Sequence, residues 1–159
     1  MVKLMKGAFM IRNEKELLSV LNNVLSLADY SKRDSTWYKN TPEVILVVNL
    51  QKSDFGGQYY INLGISFKAI QKEQYPQENK CHIRMRLDNL TPNRDETLNI
   101  FNLEKCSESQ ELLIIKVIQN VAVPWLEALI TIEAIKSKII AESNVSNRTT
   151  LEVKKYLGM

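Results

Sequence analysis

His82, Arg84 and Arg86 occupy every second position of the stretch Cys81–Leu87. In an extended strand successive side chains point to opposite sides, so an imidazole and two guanidiniums share one side. Paired arginines suit bidentate recognition of a carboxylate or phosphate. A histidine beside them could act as general acid or base. Two other stretches add amides and a phenol. In Val44–Gln51, Asn49 and Gln51 share a side with Ile45 and Val47, away from Val44, Leu46, Val48 and Leu50. In Tyr59–Phe67, Tyr60, Asn62, Gly64 and Ser66 oppose Tyr59, Ile61, Leu63, Ile65 and Phe67. A hairpin closing symmetrically around Phe55 sets Asn49 opposite Asn62 and Gln51 near Tyr60. The candidate ligand- or partner-binding set is therefore Asn49, Gln51, Tyr60, Asn62, His82, Arg84 and Arg86. A plainer reading stands beside it. The solvent side of an antiparallel sheet is polar anyway, and cross-strand polar pairs stabilise sheets without binding anything. Asn49 and Asn62 could equally bond turn backbone. Gly64 marks either a bulge or a close approach of another group.

Other chemistry is harder to assemble. Cys81 and His82 are strand neighbours, so they point apart and form no local thiolate–imidazole pair; Cys81 reads as a small core residue. Ser53, Gly56 and Gly57 make a turn without phosphate-loop spacing. Asp88, Asp95 and Glu96 read as a solvated loop. With Cys81, Cys106 and His82 as the only thiols and imidazole, no zinc-site spacing exists, and neither a metal nor a cofactor is expected. Of Trp37 and Tyr38, burial of one is expected; Trp125 reads as core or as an anchor between helices.

These side chains need elements to hold them. Asn13 can cap a helix over 14–28, with Glu14 and Glu16 in the first turn and Leu17, Leu18, Val20, Leu21, Val24, Leu25 and Ala28 at helical spacing. Strands are predicted over about 35–39, 44–51, 59–67 and 81–87, with turns at Asn40–Glu43 and Ser53–Gly57 and a polar loop at about 68–80. Helices are predicted over about 108–122, 124–141 and 150–157. Ser107 and Gln110 fit a capping box for the first, and Pro124 kinks it or starts the second. Sequential strands with short connections imply a meander. The fold class expected is α+β: an antiparallel sheet of about four strands with helices packed on one face, in a single domain of residues 1–159.

Bulk composition narrows the function. The chain has 159 residues, long enough to bury a core without a staple. Its 21 basic residues nearly balance 18 acidic ones, and the densest groups are Lys32–Arg33, Arg84 with Arg86, and Lys154–Lys155. That scatter lacks the basic stripe of a nucleic-acid binder. The N-terminal apolar run breaks at Arg12, too early for an export signal. Leu112 to Ile132 is interrupted by Lys116, Gln119, Asn120, Pro124 and Glu127, so no membrane span is expected. Free thiols and no export signal point to the cytoplasm.

The segments Val47–Ser53, Gly56–Ile65 and His82–Leu87, with Thr36–Trp37–Tyr38 and Val123–Pro124–Trp125–Leu126, together resemble the bacterial domain-of-unknown-function family 4304 (DUF4304). The resemblance runs from about Asn13 to Ile140. It implies a bacterial origin and leaves activity open. Two functions are expected. The first is a binding module, with a protein partner or an anionic small ligand on the polar sheet face. By analogy it is an accessory or toxin-neutralising (immunity-type) protein. The second is a small enzyme acting on an anionic molecule with His82 as acid or base. The absence of a carboxylate to orient His82 favours the first. A homodimer through an exposed strand edge is compatible with either.

Overall fold

The computed structural model describes residues 10–105 and 107–159. Cys106 and most of the N-terminal stretch read above for export lie outside them. The chain begins with α1 (Glu14–Leu27), where the Asn13 side chain accepts the Glu16 N–H at 3.0 Å. Leu17, Val20, Leu21, Val24 and Leu25 are its buried stripe. Asp29 then turns the chain with φ of 69°, and the sheet follows.

Five strands make an antiparallel meander in sequence order: β1 (Ser31–Arg33), β2 (Thr36–Asn40), β3 (Val44–Lys52), β4 (Tyr59–Phe67) and β5 (Ile83–Arg86). β1 adds a strand to the expected four. It is short, exposed and basic, which sequence alternation cannot register. A second correction concerns the start of β5. Cys81 and His82 precede the strand, so alternation does not extend back to them.

Helices follow β5: α2 (Arg94–Ile100), α3 (Gln110–Val117), a π-helical stretch Ile118–Ala122, α4 (Val123–Glu127), α5 (Ile132–Ala141), α6 (Ser143–Ser146) and α7 (Leu151–Tyr156). α2 replaces the expected solvated loop. Asn93 caps it by accepting the Glu96 N–H at 3.0 Å. The expected Ser107 cap is also corrected. Ser109 precedes α3, and the Gln110 amide leaves the helix end to donate to the Ile100 carbonyl at 2.7 Å. Pro124 sits in the first turn of α4, where its missing N–H costs least; the widened turn just before it absorbs the irregularity. The expected helix 124–141 is two helices. Thr131 caps α5 through the Ala134 N–H, and the Glu43 carboxylate accepts the Ile132 N–H at 2.8 Å.

The large core lies between one side of the sheet and the helices. It gathers Val44, Leu46, Val48 and Leu50 of β3, Tyr59 to Phe67 at alternate positions of β4, and Ile83 and Met85 of β5. Trp37 is fully buried there and donates its indole N–H to Asn22 at 3.1 Å. Each fully buried aliphatic or aromatic side chain contributes roughly 1.5–3 kcal/mol. Among the described residues no single helix is long and apolar enough to cross a membrane.

Candidate functional site

Register places the polar side chains in rows across the other side of the sheet. Thr36 pairs with Asn49, Asn49 with Asn62, and Asn62 with Arg86. The next row runs Tyr38, Val47, Gly64 and Arg84. Gln51 pairs with Tyr60. Both hairpin pairings expected from the symmetry around Phe55 are present.

The first row is tied together. Asn49 donates to the Thr36 hydroxyl at 3.0 Å. Asn62 donates to Asn49 at 3.3 Å and to Gln51 at 2.8 Å. These bonds fix the amide planes and leave the Asn62 carbonyl and the Gln51 amide N–H groups without a protein partner among the described residues.

The β4–β5 connection crosses this side of the sheet. Gly64 explains how it can. A Cβ at Gly64 would lie 2.8 Å from the Cys81 sulfur, so only glycine lets the loop settle there. The buried Cys81 packs with Ile45 and Val47, and Tyr38 flanks them. Cys81 is thus buried, as expected, but on the side away from the helices. Burial pushes its thiol pKa up to about 12, so it is not a reactive thiolate. The same loop carries a short 3-10 turn, Glu78–Lys80, and buries Glu78 over the strands.

Glu78 meets Arg84 in a bidentate pair, with Nε at 3.0 Å and Nη2 at 3.2 Å. That hydrogen bonding raises the Arg84 pKa above its ordinary value. Arg86 is held differently. Its guanidinium lies 3.9 Å from the centre of the Tyr60 ring, and its Nε donates to Asp88 at 3.2 Å. Asp88, expected in a solvated loop, is buried and also accepts from Arg94 at 2.6 Å. Both arginines are therefore preset in direction, as a recognition site requires.

Two depressions share this surface. One, of about 410 Å³, is lined by Thr36, Asn49, Gln51, Asn62, Gln77 and Asn79 among others. The other, of about 450 Å³, adds Arg86, Arg148, Thr149 and Thr150. Gln51, Asn62, Glu78 and Arg84 belong to both. Arg148–Thr150 form a wall from the far end of the chain. It arises because the Arg148 carbonyl accepts the Arg84 N–H at 3.3 Å, and Thr149 bridges to Ile83. Nothing in local sequence pattern announces so distant a pairing.

His82 is not part of this site. Its Nδ1 accepts the Phe67 backbone N–H at 2.9 Å, and its ring stands edge-on to Phe67. It is 5% exposed, and burial lowers its pKa. Its Nε2 faces Glu152 of α7 at 3.9 Å, beyond hydrogen-bond range. β5 begins one residue too late for alternation to govern it. Tyr60 serves as the platform under Arg86. The structure thus brings Asn49, Gln51, Asn62, Arg84 and Arg86 together with Tyr60 behind them, and removes His82.

A larger hollow of about 710 Å³ lies at the edge of β2, lined by Lys39, Lys68, Lys72 and Tyr75 among others. Its ammonium groups are already engaged: Lys39 with Glu127, Lys68 with the Thr41 carbonyl, and Lys72 with the Lys68 and Ala69 carbonyls. With those groups spent, its greater size does not make it a stronger candidate than the polar sheet face. Among the described residues no group of three or more His, Cys, Asp or Glu is placed to hold a metal ion.

Fold and surface together define an α+β domain with an open antiparallel meander, a helical layer on one side and a polar concavity on the other. A family model described as domain of unknown function (DUF4304) matches residues 21–128, and the chain belongs to that family. No curated protein and no solved structure matches the chain.

Proposed function

We propose that this chain is a binding module and that the polar sheet face is its recognition surface for a protein partner. The supporting observation is the hydrogen-bonded amide row Thr36–Asn49–Asn62–Gln51, which floors a concavity with unused donor and acceptor groups. Such groups match the N–H and C=O groups of another chain and give specificity through satisfied pairs. Catalysis has less support. The one histidine is buried with Nδ1 committed to backbone, and among the described residues no nucleophile shares the concavity with a free base. An accessory or toxin-neutralising role in a bacterial cytoplasm belongs to the same proposal. The role rests on analogy with small stand-alone domains, the bacterial origin on the family resemblance, and the compartment on a buried, unpaired Cys81.

The test is capture of partners from a native host by wild type and by the bulky, uncharged variant Gln51→Tyr/Asn79→Tyr. Both residues are exposed on the concavity rim, so the variant fills it without touching the core. Loss of specific partners from the folded variant is the expected result. Identical recovery by both proteins would remove this face as the recognition surface.

A further inference from the structure

We infer that the partner segment recognised at this face is acidic, and that the depression beside Arg148 takes its carboxylates. The inference rests on the binding reading above and names the chemistry of the occupant.

Three arginines, Arg84, Arg86 and Arg148, and one carboxylate, Glu78, are the charged residues lining this depression. Glu78 is spent on Arg84 through both oxygens. Arg86 uses only Nε for Asp88, so its terminal nitrogens make no hydrogen bond among the described residues. The exposed Arg148 side chain makes no ion pair or hydrogen bond among them either. The lining therefore keeps uncompensated positive charge on guanidiniums with unused donors. Guanidinium forks match carboxylate oxygens in spacing and plane. The Thr150 hydroxyl is a further polar group on that wall, although it also caps α7 by accepting the Val153 N–H at 3.4 Å.

The second half of the site decides between a free anion and a peptide. A small oxyanion would need only the arginine end. The adjoining depression instead offers the Asn62 carbonyl and the amides of Gln51, Gln77 and Asn79, continuous with the first through Gln51 and Asn62. Those groups suit peptide N–H and C=O groups. An extended acidic segment lying across both depressions uses every one of these features. The Asn147–Thr150 wall lies beyond residues 21–128 matched by the family model, so chain outside that match supplies part of the specificity.

Titration of the ¹⁵N-labelled full chain with an end-blocked hexaglutamate peptide, followed by NMR at low salt, tests this. Hexaglutamate should shift the amide signals of Arg84, Arg86 and Arg148–Thr150, and the affinity should fall as salt rises. End-blocked hexaglutamine should bind at least tenfold more weakly. Arg148→Glu should weaken hexaglutamate binding about tenfold or more, whereas Lys155→Glu, the same charge change at an exposed position outside the depression, should change it less than twofold. Equal losses in the two variants would show a diffuse charge effect and overturn the assignment. Inorganic phosphate binding as tightly as hexaglutamate would overturn the peptide, because the amide half would then contribute nothing. No shift at these residues with hexaglutamate would overturn the acidic occupant. If partner capture were nonetheless lost in Gln51→Tyr/Asn79→Tyr, the binding face would stand and only its charge preference would fall.

Discussion

Replacing Gly64 with alanine perturbs the point where the β4–β5 connection rests on the sheet. The added methyl would lie 2.8 Å from the Cys81 sulfur and 3.0 Å from its Cβ. Neither atom can withdraw easily, since Cys81 is buried against Ile45 and Val47. Overpacking of this kind costs about 1–3 kcal/mol. Against it stands the entropy that alanine removes from the unfolded chain, about 0.4–1 kcal/mol. The clash wins, with a net loss of about 1–2 kcal/mol. At a urea dependence of about 2 kcal/mol/M, the unfolding midpoint should drop by roughly 0.5–1 M. The double variant Gly64→Ala/Cys81→Ala supplies the control. Removing the sulfur takes away the shorter contact, so the double variant should be more stable than the sum of the two single changes by about 1 kcal/mol. Equilibrium urea unfolding followed by tryptophan fluorescence measures all four proteins. A Gly64→Ala protein as stable as wild type, or strict additivity in the cycle, would refute the close contact as the reason for glycine here.

Other expectations concern the charged groups behind the site. Glu78→Gln should lower stability by roughly 1–2 kcal/mol, because one half of a bidentate pair with a half-exposed Arg84 is lost; a midpoint unchanged in urea would count against the pair. Asp88→Asn should cost about 1.5–3 kcal/mol, since the buried carboxylate holds both Arg86 and Arg94, and it should broaden the Arg86 side-chain NMR signals. His82 makes stability pH-dependent. Burial lowers its pKa in the fold, with Glu152 opposing weakly, so below about pH 6.5 the unfolded chain binds more protons and stability falls with pH. The loss begins near the unfolded value and ends once the pH has passed the lowered folded value. The drop in urea midpoint between about pH 7 and about pH 5.5 should shrink in His82→Gln; an identical slope in that variant would assign it to other groups.

How much of this surface was legible in the sequence follows from the reach of each interaction. Period-two alternation is a local geometric rule, and it held wherever a residue lay within a paired strand. Asn49, Asn62, Gln51 and Arg84 came out on one side, in the register that a turn around Phe55 dictates. It failed one residue outside β5. There the chain is leaving a loop, and the Phe67 N–H at the end of β4 captures the His82 ring. It also could not say that Ile45 and Val47, apolar residues on the polar side, would be covered. Their cover is the connection from Lys68 to His82, whose polar composition reads as solvent-exposed loop. Asn93 before Glu96 carries a capping signal for α2 among more conspicuous acidic residues.

The parts least visible in sequence are the parts that make the face a site. An open polar sheet surface binds nothing in particular, because water satisfies it at every point. Glu78 arriving from the loop and Arg148–Thr150 arriving from the far end of the chain raise walls along two sides of β5. One wall is anchored by the Cys81 side chain packed against Gly64, the other by the Arg148 carbonyl on the Arg84 N–H. Arg84 lies between them and belongs to both depressions. Its position on the strand is set by local alternation, whereas its surroundings are set by contacts with residues 78 and 148. Recognition at this face therefore depends on whether those two long-range anchors hold while a partner displaces the water between them.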